Sequence, residues 1–111
     1  MAETAPGGVR LELDHRPDLC TAGGVLHGGA IMALADTAGA LCAYLNLPAG
    51  AAGTTTVESK TNLLAPVRGG TLVASATPLH VGARLVVVET ELRRDDGRLA
   101  AKTTQTQAVL T

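Results

Sequence analysis

One stretch constrains this chain more than any other: Val25-Leu26-His27-Gly28-Gly29-Ala30-Ile31-Met32-Ala33-Leu34-Ala35-Asp36-Thr37. It reads as the start of a buried helix opened by a glycine-rich turn. Apolar residues continue at Ile31, Leu34, Ala35, Ala38, Leu41, Cys42 and Leu45, the spacing of one helical face. Pro48 and Gly50 end the pattern. The other segments read as strands, so the spacing predicts one long helix and a sheet for it to pack on.

The helix opening has a chemical consequence. The first N–H groups of a helix have no partner inside it and carry the positive end of its dipole. Gly28 and Gly29 leave those groups open to an approaching carbonyl oxygen, as an oxyanion hole requires. Gly29 is read as serving close packing. Asp36 follows His27 by nine residues, which at ~100° and ~1.5 Å per residue places it half a turn out of phase and about 13 Å away. The two cannot act on one atom from a single copy. If both serve one site, the second comes from another subunit whose helix runs antiparallel alongside. The Asp36 side is assigned the small residues Ala33, Thr37, Gly39, Ala40 and Ala43, which would let a backbone or slim substrate approach.

Strands are expected at Val9–Asp14, Thr54–Leu64, Thr71–His80, Arg84–Arg94 and Arg98–Leu110. Arg94-Asp95-Asp96-Gly97 reads as a hairpin turn, and Thr and Gln residues of the last strand are placed largely on its surface. Residues 1–8 read as a flexible tail and 9–111 as a single domain, the 111 residues being too few for two. The fold class is α+β, with a five-stranded antiparallel sheet around one central helix. Tyr44 is the sole aromatic, so a small aliphatic core gains from oligomerisation.

A net charge of −1 without a basic stripe argues against nucleic-acid binding. No apolar run reaches the ~20 residues of a membrane span, and no signal pattern is visible, so the expected location is cytoplasmic. Cys20 and Cys42 show neither disulfide nor metal spacing and read as free thiols. His15 and His80 read as surface residues.

His27-Gly28-Gly29, then Leu34-Ala35-Asp36-Thr37, then Asn62-Leu63-Leu64-Ala65-Pro66 and the Asp96-Gly97 hairpin resemble the hotdog-fold acyl-CoA thioesterases. Within them the chain is most similar to the phenylacetate-pathway (PaaI-like) and 4-hydroxybenzoyl-CoA thioesterase branch, roughly from Val9 to Leu110. The resemblance implies hydrolysis of a small aryl- or short-to-medium-chain acyl-CoA. Asp36 would be general base or nucleophile, and the Gly28 N–H the oxyanion donor. His27 would help place the thioester. Thr37 and Thr56 would sit beside the site as hydroxyls, although strand propensity alone explains Thr56. Thr21 stands where relatives carry Asn or Gln to orient water or substrate, and offers one hydroxyl in place of a planar amide. Arg68 and Arg84 are candidates for the coenzyme A phosphates, and would equally suit strand ends in solvent.

The resemblance further implies a homodimer as minimal unit, with a homotetramer expected, and an acyl-CoA substrate. No metal or redox cofactor is expected, coenzyme A being part of the substrate. The alternative is a non-catalytic acyl-CoA-binding or regulatory protein of the same fold. A hotdog dehydratase ranks lower, because it needs a His–acid pair at another spacing.

Overall fold

The computed structural model describes residues 2–111. Six strands form one antiparallel sheet: β1 (Ala2–Ala5), β2 (Gly8–Asp14), β3 (Gly53–Leu63), β4 (Thr71–Val81), β5 (Leu85–Arg93) and β6 (Leu99–Leu110). Their order across the sheet is β1-β2-β4-β5-β6-β3. The helix α1 (Gly28–Leu45) crosses one face, packing most closely on β4 and β5. This is the hotdog arrangement, with one strand more than expected.

The extra strand corrects the reading of residues 1–8 as a flexible tail. Pro6 and Gly7 make a tight turn, and Ala2–Ala5 pair with Leu11 to Gly8 along the edge of β2. Met1 lies outside the described residues. At four residues, β1 is too short to show a periodicity, and its partner edge supplies the order.

The helix buries Ile31, Ala35, Ala38 and Cys42, as its spacing predicts, with Leu34, Leu41 and Leu45 packed partly against the core. Opposite lie Leu72, Ala74 and Ala76 of β4, Val86, Val88 and Leu92 of β5, and Ala101 of β6. Each fully buried Val or Leu contributes ~1.5–3 kcal/mol. Burial also pushes the Cys42 thiol pKa up. By length and composition α1 would pass as a membrane span; here it is the core helix.

Two assignments change. Gly39 and Ala43 do not share the open side with Asp36; both are buried against the sheet. A Cβ on Gly39 would overlap the Gln105 side chain, so it is Gln105 that uses the space Gly39 leaves. The Thr and Gln residues of β6 likewise do not all face solvent: Thr103, Gln105 and Gln107 point inward and are buried. Gln107 Nε2 donates to Thr56 Oγ1 at 2.5 Å, and the hydroxyls of Thr61 and Thr103 meet at 2.7 Å. Among the described residues, the Gln105 amide and the Thr90 hydroxyl have no partner.

Among the described residues β3 pairs only with β6, leaving its other edge open along 11 residues. A bulge at Val57 interrupts the register, and Val57 and Leu63 are exposed. An open edge of this length is a template for another strand.

Candidate active site

The start of α1 is set by a short hairpin. Cys20 bridges to Leu26, the Thr21 N–H donates to the Val25 carbonyl at 2.8 Å, and the His27 N–H donates to the Leu19 carbonyl at 2.9 Å. The Leu26 N–H donates to the Val67 carbonyl at 2.9 Å, tying the hairpin to the β3–β4 loop. The His27 carbonyl accepts from the Ala30 and Ile31 N–H groups, and no side chain caps the helix. The N–H groups of Gly28 and Gly29 therefore stand at the helix start without an intrahelical acceptor.

Beside them runs an open groove of about 280 Å³, walled by Val25, Leu26, Gly28, Ile31, Leu63 and Pro66 among others. The walls are apolar, so an acyl group seated on them would bring its carbonyl oxygen to the Gly28 N–H and displace water there. Gly28 is packed closely: a Cβ there would sit 2.7 Å from Leu63 Cδ1. Gly29 has open space on its free side. The packing reason expected for Gly29 thus belongs to Gly28.

Asp36 is exposed and is the only charged residue of α1. It lies eight residues beyond Gly28, ~12 Å along the axis and about 80° around it. The chain alone does not bring the two together. His27 is exposed at the mouth of the helix. Thr21 is exposed at the hairpin tip, its carbonyl accepting from the Gly24 N–H.

Thr37 lies on the opposite flank of α1 from Gly28. Its Oγ1 donates to the Ala33 carbonyl at 2.8 Å, and it shares a separate groove with Leu13, Leu19, Ala30 and Leu34. Thr56 is seven residues up β3 from Leu63, ~23 Å along the strand, so within one chain it is remote from Gly28.

The two arginines also part company. Arg68 lines a second groove of about 250 Å³ with Pro66, Gly69, Arg94, Asp95 and Asp96, and Pro66 joins this groove to the first. Arg84 sits at the β4–β5 turn, at the far end of an 11-residue strand, roughly 35 Å away. Arg94, which the sequence did not single out, shapes the second groove. Its guanidinium pairs with the Asp96 carboxylate, and its Nη1 donates to the Pro66 carbonyl at 3.1 Å. The Arg94 hydrogen bond, with help from the Arg98 N–H, holds the Asp96 carboxyl down at about 2.

His15 is not a free surface residue. Its Nε2 lies 2.8 Å from the Gly24 carbonyl, to which it must donate, and 3.1 Å from Cys20 Sγ. No sequence periodicity marks this, because the partner is a loop carbonyl nine residues on. His80 is exposed, as expected. Among the described residues, no group of three or more His, Cys, Asp or Glu could hold a metal ion.

Comparison with known proteins gives a consistent picture. The profile of the thioesterase superfamily matches residues 23–101. A Haemophilus influenzae protein, provisionally named an esterase, is 36% identical over 87 residues, covering 78% of this chain and 62% of the relative. The 1,4-dihydroxy-2-naphthoyl-CoA hydrolase of Escherichia coli is 33% identical over 87 residues, with coverage of 78% and 62%. The chain thus spans about three fifths of the length of these two curated relatives. A crystal structure of a Haemophilus influenzae thioesterase superposes with a TM-score of 0.91 at 28% identity, covering 98% of this chain and 76% of the other.

Proposed function

The chain belongs to the thioesterase superfamily, and we propose that it hydrolyses a small aryl- or short-to-medium-chain acyl-CoA to the free acid and coenzyme A. One observation carries the reading. The uncapped start of α1 borders an apolar groove at Gly28, while the helix's only charge, Asp36, projects ~12 Å away on exposed surface. Each half lacks what the other offers.

Two copies joined along the open β3 edge supply the missing half. An antiparallel β3–β3 pairing sets the two helices antiparallel and side by side, bringing Gly28 of one copy towards Asp36 of the other. A homodimer is then the minimal unit; a homotetramer remains the expected assembly. The same two-fold turns the Arg84 end of one copy towards the Gly28 end of the next. Arg68 and Arg84 can therefore serve one coenzyme A only across subunits.

In this site the thioester carbonyl oxygen accepts the Gly28 N–H. Asp36 takes a proton from the attacking water, or attacks the carbonyl itself to give an anhydride that water then opens. Negative charge on the carbonyl oxygen is stabilised at the helix start, and the intermediate collapses with loss of the coenzyme A thiolate. The groove volume and its aliphatic walls suit a small acyl group. Arg68, two residues beyond Pro66, is the candidate on this side for a coenzyme A phosphate. Coenzyme A enters as part of the substrate, and the steps need no metal or redox cofactor. The expected location is the cytoplasm.

The test is thiol release from a panel of acyl-CoAs, aromatic through long-chain, with wild type and Asp36→Asn side by side. Turnover on a small acyl-CoA that falls by ~100-fold or more in Asp36→Asn is expected. Binding of acyl-CoAs with no release by wild type would favour a non-catalytic acyl-CoA-binding protein.

A further inference from the structure

We infer that His15 is a positioning residue for the Gly28 groove, acting through the carbonyl of Gly24. The inference rests on the reading of Gly28 as oxyanion donor. The hairpin of residues 19–27 delivers two walls of the groove, Val25 and Leu26, and then the helix start itself. Its arms are tied by backbone bonds, Leu19 to His27 and Thr21 to Val25. Its tip, Thr21 to Gly24, is exposed throughout and turns back through Gly24 at a positive φ of 77°. An exposed tip of this kind is free to sway unless something holds it.

Among the described hydrogen bonds, His15 provides the side-chain tether on that tip. Nε2 reaches the Gly24 carbonyl at 2.8 Å. A carbonyl can only accept, so Nε2 carries the proton and the neutral ring is the Nε2–H tautomer. Cys20 Sγ, 3.1 Å from the same nitrogen, donates its own proton to the Arg16 carbonyl at 3.1 Å and so presents sulfur lone pairs to the imidazole. The histidine is itself anchored, its backbone N–H donating to the Gly70 carbonyl at 2.9 Å. A line of contacts therefore runs from the sheet end at Gly70, through His15, to Gly24 and the adjacent wall residue Val25. Errors near 1 Å in such a wall cost rate more than affinity, because the oxyanion contact tightens in the transition state.

The experiment compares wild type, His15→Ala and His15→Gln by two readouts. Steady-state thiol release should show kcat about tenfold lower in His15→Ala with KM within about twofold. His15→Gln, whose amide Nε2 can donate to the same carbonyl, should restore kcat to within about threefold of wild type. Amide hydrogen exchange needs no substrate: Thr21 and Gly24 should exchange at least about tenfold faster in His15→Ala and near the wild-type rate in His15→Gln. Unchanged exchange and kcat in His15→Ala would overturn the inference, as would His15→Gln behaving like His15→Ala. If His15→Ala fails to fold, His15→Leu, which fills the space without a donor, takes its place: lower kcat and faster exchange there, with both retained in His15→Gln, support the tether, and any other pattern refutes it. A wild type that hydrolyses nothing would sink the proposed activity, while the exchange result would still judge the tether.

Discussion

Two glycines on one helix show how differently its faces are employed. Gly39 faces the sheet, and a Cβ there would overlap Gln105; Gly29 faces outward with open space beside it. Both stand in a stretch of small apolar residues that looks uniform in sequence. The inner face is small because a polar side chain must fit beneath it. The outer face carries Gly29, Met32, Asp36 and Tyr44, all exposed. The inner face secures the fold, and the outer face is the one the proposed partner and substrate would meet.

The same substitution should therefore have opposite signs at the two positions. Gly39→Ala forces Gln105 from a packed site and should lose about 1–3 kcal/mol, lowering the thermal midpoint by several degrees. Retained stability in Gly39→Ala would break the contrast. Gly29→Ala places a better helix former where one chain leaves open space and should gain ~0.5–1 kcal/mol in thermal or urea unfolding; a loss instead would put the partner subunit against Gly29. Its turnover should fall, because the new methyl stands beside the open N–H groups. A variant both more stable and fully active would mean that substrate does not approach there.

The smallest effect sharpens the contrast by locating acid sensitivity off the helix. Asp96, held at about 2 against an ordinary 3.8 by Arg94, binds its proton more weakly folded than unfolded. Its contribution is present above pH ~4 and is lost as the pH falls from there towards 2. Both groups of the pair are partly or largely exposed, so the effect should be modest. Urea unfolding of wild type and Asp96→Asn from pH 5 to pH 2.5 should show a shallower decline in the variant. Identical slopes would remove the pair from the account.

Much of the fold was legible because its signals are local. Ile31, Ala35, Ala38 and Cys42 repeat at helical spacing, and Asp96-Gly97 marks a turn whose Gly97 has a φ of 83°. Features that depend on distant partners were not. Residues Lys102 to Gln107 are all polar, so the inward Thr103, Gln105 and Gln107 cannot be told from their outward neighbours. What lets them inside is Thr56 and Thr61 across the β3–β6 pairing, and Gly39 above. The strand Ala2–Ala5 and the His15 tether likewise take their order from the edge of β2 and the Gly24 carbonyl. For the candidate site, Gly28 and Asp36 stood out because a glycine turn and a lone acid on an apolar helix are local anomalies. The separation of Thr37, Thr56, Arg68 and Arg84 could not be read before strand order was known.

The central claim, that each site takes Gly28 from one copy and Asp36 from another, is tested most directly by complementation. Asp36→Asn keeps the helix start and lacks the acid. Gly28→Pro keeps the acid and lacks the N–H, at a first-turn position whose backbone suits proline once the end of the Leu63 side chain moves aside. Each variant alone should be nearly inactive in thiol release. Co-refolded in equal amounts, they should regain about a quarter of wild-type activity, because half the dimers are mixed and each mixed dimer has one intact site. Recovery to that level is the result the account predicts. No recovery from mixtures shown to contain mixed dimers would contradict the shared site.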